Sequence, residues 1–167
     1  MIIRVLFVLL QTVILYILQT SVFSEIALAG VVPDLLLILV ISVAFMRGRI
    51  PAMLTGLVAG LVLDCSYNSV IGILALFYMF IGYLAGYAHK VYDENDYTIP
   101  LVLIGAGELL YNLMYYIVFL LLEGKLNLGY YLVRFMFPKV IYTVLVSIVF
   151  YKLFNMCNVY MMRFDEN

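Results

Sequence analysis

Charge is scarce in this 167-residue chain: 11% of its residues are Asp, Glu, Lys or Arg, against about 25% in an ordinary soluble domain. Hydrophobic residues make up 67% and the mean hydropathy is +1.15. Too little polar surface exists to coat a water-soluble globule, which excludes that class. Histidine occurs once and cysteine twice, so no His/Cys cluster has metal-ligand spacing. No Gly-rich loop cradles a phosphate and no Ser–His–acid arrangement stands out, so nothing argues for an enzyme or a cofactor. No basic stripe points to nucleic acid. The net charge of −1 says little, because charge on a membrane protein is read by side.

What the chain has in abundance is long apolar runs. A hydrocarbon core of about 30 Å needs roughly 20 residues per helix. Six such helices consume most of the chain and leave short loops. The expectation is an all-α, polytopic integral membrane protein, one transmembrane domain over 1–167 with six helices in one bundle. The spans are placed at 5–23, 32–46, 50–65, 69–88, 98–122 and 131–154. Arg4 followed by Ala27-Leu28-Ala29 has the outline of a signal peptide. However, the apolar run 5–23 exceeds the about 7–15 residues of a signal-peptide core, so the first span is expected to be retained. The polar stretches are His89–Tyr97 and the tail Asn155–Asn167.

Orientation follows from Lys and Arg in alternate loops. With the N-terminus inside, Arg4, Arg47, Arg49, Lys90, Lys152 and Arg163 are cytoplasmic, while Lys125 and Arg134 lie outside. Both termini are therefore expected in the cytoplasm. The acidic Asp93, Glu94 and Asp96 do not reverse this, since carboxylates weigh little in the rule. Cys65 and Cys157 then fall near opposite faces, too far apart for a disulfide.

A few polar residues interrupt the spans. Asp34 follows Pro33 at the start of the second helix, where a carboxylate in the first turn complements the macrodipole; it also suits a polar cluster. Asp64 sits at the opposite pole of its own helix, where a negative charge is disfavoured, and needs a cation, a hydrogen-bond donor or water. Glu108 lies about ten residues into its span, about 15 Å deep at 1.5 Å per residue. A charge at that depth normally faces the bundle interior. Lys139 is the intramembrane cation deep enough to meet it, and Arg134, nearer the outer interface, could serve Asp34 or Asp64. Pro138 removes a helix hydrogen bond to the Arg134 carbonyl, exposing backbone to the same candidate cluster of Asp34, Asp64, Glu108, Arg134 and Lys139. The plainer reading is a structural network joining helices; the other is a path for protons or ions.

Small residues supply close packing. Gly56–Gly60 and Gly82–Gly86 are GxxxG pairs, which let helix backbones approach. The longer series Gly48, Ala52, Gly56, Gly60 drifts by about 40° per step, so the tight contact is local to Gly56 and Gly60.

Taken together, Pro33-Asp34-Leu35-Leu36-Leu37, the glycine ladder ending in Leu61-Val62-Leu63-Asp64, Ile71-Gly72, Gly82-Tyr83-Leu84-Ala85-Gly86 and Pro138-Lys139-Val140-Ile141-Tyr142-Thr143 resemble the bacterial rod shape-determining MreD family, over essentially the whole chain. The resemblance implies a non-catalytic scaffold subunit of the cell-elongation complex in the bacterial plasma membrane, acting in cell shape and peptidoglycan synthesis. Its implied partners are an MreC-like single-span protein, the RodA glycosyltransferase, a class B penicillin-binding transpeptidase, MreB filaments and membrane lipid. It also implies kinship with the six-helix substrate-binding S-component of energy-coupling-factor transporters. That kinship supplies the alternative, a vitamin-transporter subunit whose outer pocket is lined by Asp34, Asp64 and Arg134.

Overall fold

The computed structural model describes residues 2–27, 30–67, 71–90, 97–120, 123–124 and 127–165, with side chains for all of these except 2–5, 67, 90 and 161–165. Leu28, Ala29, Asp93, Glu94, Asp96 and Lys125, and the side chains of Arg4, Lys90 and Arg163, lie outside that description. Among the described residues the chain is all helix and carries no β-strand. The helices are α1 (Ile2–Glu25), α2 (Leu35–Arg47), α3 (Arg49–Tyr67), α4 (Ile73–Ala85), α5 (Thr98–Tyr115), α6 (Leu128–Tyr131) and α7 (Phe137–Asp165). A π-helical turn, Tyr116–Leu120, continues α5, and another, Leu132–Met136, fuses α6 to α7.

Four helical segments are long and apolar enough to cross a membrane: Leu6–Glu25, Arg49–Ser66, Thr98–Leu120 and Leu128–Tyr160. Their outward faces carry large apolar side chains such as Leu10, Ile17, Leu54, Val102, Leu145 and Val149, as lipid contact requires. The protein is a multi-pass helical membrane protein. Helices α2 and α4 have 13 residues each, about 20 Å of helix. For α2 the reason is its place in the fold. It is apolar on all sides, which marks a buried helix, and Leu35 through Phe45 are all buried. Its one interior polar residue, Ser42, donates to the Ile38 carbonyl at 2.6 Å, so no side-chain donor is left unpaired there. Around α2 pack α3, α4, α5 and α7.

The N-terminus of α2 is closed group by group. Asp34 is the N-cap: its Oδ1 accepts from the Leu37 N–H at 3.0 Å. Gln19 Oε1, from α1, accepts from Leu35 N–H at 2.9 Å and Leu36 N–H at 3.3 Å. The Asp34 N–H itself donates to Thr143 Oγ1 at 3.3 Å, and the first intrahelical bond then runs from Ile38 N–H to the Asp34 carbonyl. All four N–H groups that a helix start leaves open are thereby met. The expected placement of Pro33 at the first helical position and Asp34 within the first turn is corrected by two residues: the helix starts at Leu35, and Asp34 caps it from just outside.

At the other end Gly48, at φ +90°, turns the chain directly into α3. Only glycine takes that conformation without steric cost. Helices α3 and α4 then pack backbone to backbone. A Cβ on Gly56 would strike the Tyr78 carbonyl, and one on Gly60 the Ala75 backbone. From the other side, a Cβ on Gly82 would lie 2.8 Å from the Ala52 carbonyl oxygen, and one on Gly86 would meet the backbone of Arg49. All four glycines face this seam.

The prolines obey position. Pro51 and Pro100 occupy the first turns of α3 and α5, where an N–H has no intrahelical partner. Pro138 follows the Leu132–Met136 π turn, so the missing hydrogen bond is absorbed by widening the helix just before it. The last helix also outruns the expected end at 154 and continues to Asp165, since no Gly or Pro interrupts the tail. The fourth helix is shorter than expected, bounded by Gly72 at φ +113° and by Gly86.

Candidate functional site

Four helices, α2, α4, α5 and α7, converge on one buried cluster. Asp34, capping α2, has a side chain 3% exposed, and Glu108, on α5, is fully buried. From α7, Lys139 Nζ lies 3.0 Å from Glu108 Oε1 and 3.9 Å from Asp34 Oδ2. The Tyr78 hydroxyl, from α4, donates to Asp34 Oδ2. Asn112, one turn along α5, donates to Glu108 Oε1 at 2.9 Å and to the Glu108 carbonyl at 2.7 Å. The Tyr111 ring lies 4.8 Å from the Lys139 ammonium, a cation–π distance. Glu108 Oε2 has no hydrogen-bond partner among the described residues.

The late Pro138–Thr143 segment makes further ties from the same face of α7. Thr143 Oγ1 accepts the Asp34 N–H at 3.3 Å, and the Tyr142 hydroxyl donates to the Ile26 carbonyl at 3.1 Å. Lys139, Tyr142 and Thr143 stand at helical spacings of three and four, which place them on one face. The opening Pro33-Asp34 and the closing Pro138-Lys139 segments, far apart in sequence, therefore meet in space.

Asp64 belongs to a different junction. Its Oδ2 accepts from Gly72 N–H at 2.9 Å and Ala75 N–H at 3.0 Å, and its Oδ1 from Leu74 N–H at 3.2 Å. Disfavoured at the end of its own helix, the carboxylate sits instead on the positive start of the next, where N–H groups and macrodipole both favour it. Arg134 stands apart. It is exposed and lines a surface hollow with Tyr130, Val133 and Pro138. The ammonium beside Asp34 is that of Lys139, and the donors on Asp64 come from the α4 backbone.

Above the ion cluster opens a cavity of about 360 Å³. Gln19, Thr20 and Ser24 of α1 line one side; Tyr111, Asn112 and Tyr115 of α5, with Tyr131 and Phe135 near the second π turn, line the other; Asp34 and Lys139 form part of its wall. Lys139, 20% exposed, is the member of the ion cluster that opens most to this space. Among the described residues no group of His, Cys, Asp and Glu is placed to hold a metal ion.

Residues 1–162 match the family described as rod shape-determining protein MreD. The chain belongs to the MreD family. No curated protein and no solved structure matches it. Membership assigns the chain to cell-shape determination and the rod complex. The segments that carried the resemblance are those that join in this MreD-family fold: Asp34 meets Lys139 and Thr143, and Asp64 meets Gly72.

Several members of the site were not singled out from the sequence. Asn112 stands four residues after Glu108, the spacing at which helical side chains touch, and that was a readable signal. Gln19 was a polar residue in an apolar first span. Tyr78 and Tyr111 gave none, since tyrosines on apolar helices are common. Gly107 was also missed: a Cβ there would meet Ile41 of α2 and Ile81 of α4, so α5 approaches the core at that point.

Proposed function

We propose that this MreD-family chain is a non-catalytic membrane scaffold of the cell-elongation complex, acting with an MreC-like single-span partner in peptidoglycan synthesis and cell shape. The observation that carries the reading is the family match over residues 1–162. The architecture supports it, since the described chain outside the helices consists of short links and recruitment must use helix faces and loop tips. In lipid, such contacts rest on shape and a few hydrogen bonds. The chain crosses the bacterial plasma membrane six times with both termini in the cytoplasm. Through its partner it joins the RodA glycosyltransferase, the class B transpeptidase and MreB filaments. The buried ion cluster serves the scaffold by locking α2, α5 and α7 together.

A second reading, the substrate-binding subunit of an energy-coupling-factor type vitamin transporter, draws on the fold kinship that the resemblance implies and on the cavity. Depletion in a rod-shaped host, with co-purification from its membranes, separates the two. Rounding of cells and recovery of the single-span partner support the scaffold. Unchanged shape, with vitamin uptake that depends on this chain and an ATPase, overturns it.

A further inference from the structure

Of the five residues expected in one polar cluster, Arg134 is the member that neither the ion pairs nor the helix caps use. It is exposed on the last helix, and among the described residues no carboxylate pairs with it. With Tyr130, Val133 and Pro138 it lines a hollow of about 230 Å³, at the place where the Leu132–Met136 π turn meets the proline.

Depth decides what can neutralise it. Arg134 and Lys152, both exposed on this continuous helical segment, are separated by about 27 Å at 1.5 Å per residue. That is close to the roughly 30 Å of a hydrocarbon core. The two cations therefore mark its two boundaries, where a long basic side chain carries its charge to the interface. Lipid phosphates surround the helix at that level, whereas an acidic side chain would need a partner helix held in one register.

Beneath the charge, the surface is shaped for a hydrocarbon chain. Phe137, Ile141, Leu145 and Ile148 follow Arg134 at spacings of three and four, hence on one face, and all four are exposed. A charged group followed by an apolar stripe is the order of parts in a glycerophospholipid. The lining of the hollow then selects the headgroup. It holds one guanidinium, one phenol and no carboxylate. A guanidinium fork matches a phosphodiester bidentately, and the Tyr130 hydroxyl adds a further donor. The ammonium of an ethanolamine or choline headgroup would find no counter-charge there, so a lipid of net negative charge fits best.

We propose that the hollow at Tyr130, Arg134 and Pro138 binds an anionic glycerophospholipid, with Arg134 and the Tyr130 hydroxyl on the phosphate and an acyl chain along Phe137, Ile141, Leu145 and Ile148. The site needs only a membrane-spanning last helix, so it stands independently of the scaffold reading.

The test uses the full chain, delipidated in maltoside micelles and titrated with phosphatidylglycerol, phosphatidylethanolamine, phosphatidylcholine or diacylglycerol of matched acyl chains. Native mass spectrometry resolves each bound lipid. The first phosphatidylglycerol should bind more tightly than the other three lipids by about tenfold or more, the equivalent of one hydrogen bond to a charged group. Arg134→Gln should abolish that preference. Arg134→Lys, which keeps the charge and loses the fork, should keep part of it. Lys152→Gln removes the same charge at the opposite boundary and should leave the preference intact. These side chains are exposed, so the variants should unfold at the parent's midpoint. Absence of a preference for phosphatidylglycerol in the parent would overturn the proposal. Equal losses in Arg134→Gln and Lys152→Gln would overturn it too, since they would mean attraction by charge at large. Unchanged lipid binding in Arg134→Gln, with loss of a single-span protein that co-purifies with the parent from native membranes, would assign the guanidinium to a partner's acid instead.

Discussion

Lys139 Nζ lies 3.0 Å from Glu108 Oε1, and the carboxylate it meets is fully buried. Removing one partner of such a pair costs about 3–5 kcal/mol because the other charge is stranded, whereas replacing both with apolar residues recovers much of that loss. Glu108→Leu should therefore lower the unfolding midpoint in detergent sharply, and Glu108→Leu/Lys139→Leu should restore most of it. Equal instability of the single and double variants would show that the two side chains are not coupled.

The Asp64 carboxylate takes three N–H groups from the start of α4. An alanine there leaves the buried Leu74 and Ala75 donors unpaired, a loss of about 1–3 kcal/mol each before relaxation, and frees the part-buried Gly72 N–H. An asparagine keeps one accepting oxygen and so retains part of the cap. The expected order of stability is Asp64, then Asn, then Ala, read from heat-induced loss of monodisperse protein. Parity of the Ala variant with the parent would refute the capping role.

Glycine substitutions should divide by what the new methyl meets. At Gly60 it meets the Ala75 backbone, which cannot yield without shifting α4; at Gly105 its nearest neighbour is Val144 Cγ2 at 3.4 Å. Overpacking costs about 1–3 kcal/mol, while alanine gains up to about 1 kcal/mol of helix propensity over glycine. Gly60→Ala should destabilise and Gly105→Ala should be neutral or better, as judged by unfolding midpoints. The reverse ranking would count against the backbone-to-backbone seam.

The helices and their close-packing glycines were legible because both leave a local signal: apolar runs of spanning length, and small residues four apart. Glu108 and Lys139 were legible as polar anomalies in hydrocarbon. The partner of Asp64 was not, because its donors are backbone N–H groups of another helix, which no side-chain pattern records. Arg134 was drawn toward the acids by charge alone, but its face of the helix turns outward, and helical phase around a π turn cannot be counted at 3.6 residues per turn. Of the outer pocket expected under the transporter alternative, Asp34 does line the cavity but Asp64 and Arg134 do not, because that space lies between elements whose registers are set by packing.

The topology has a structural consequence that labelling can read. His89 Nδ1–H donates to the Phe45 carbonyl at 2.6 Å, and a Cβ on Gly48 would lie 3.3 Å from the His89 ring. The α2–α3 link and the end of α4 therefore share one end of the bundle. Tyr97 and Phe45 both pack against Tyr151 there, and Arg47 Nε donates to Asn158 at 3.0 Å. The cations Arg47, Arg49 and Lys152 cluster toward this end, which the positive-inside rule predicts to be cytoplasmic. Asn127, exposed at the start of α6, belongs to the opposite end. In a background with Cys65→Ser and Cys157→Ser, Asn127→Cys should react with a membrane-impermeant maleimide in intact spheroplasts, and Tyr97→Cys only after permeabilisation. Labelling of Tyr97→Cys in intact spheroplasts would invert the topology, carrying the cavity between α1, α5 and the last helix to the cytoplasmic side.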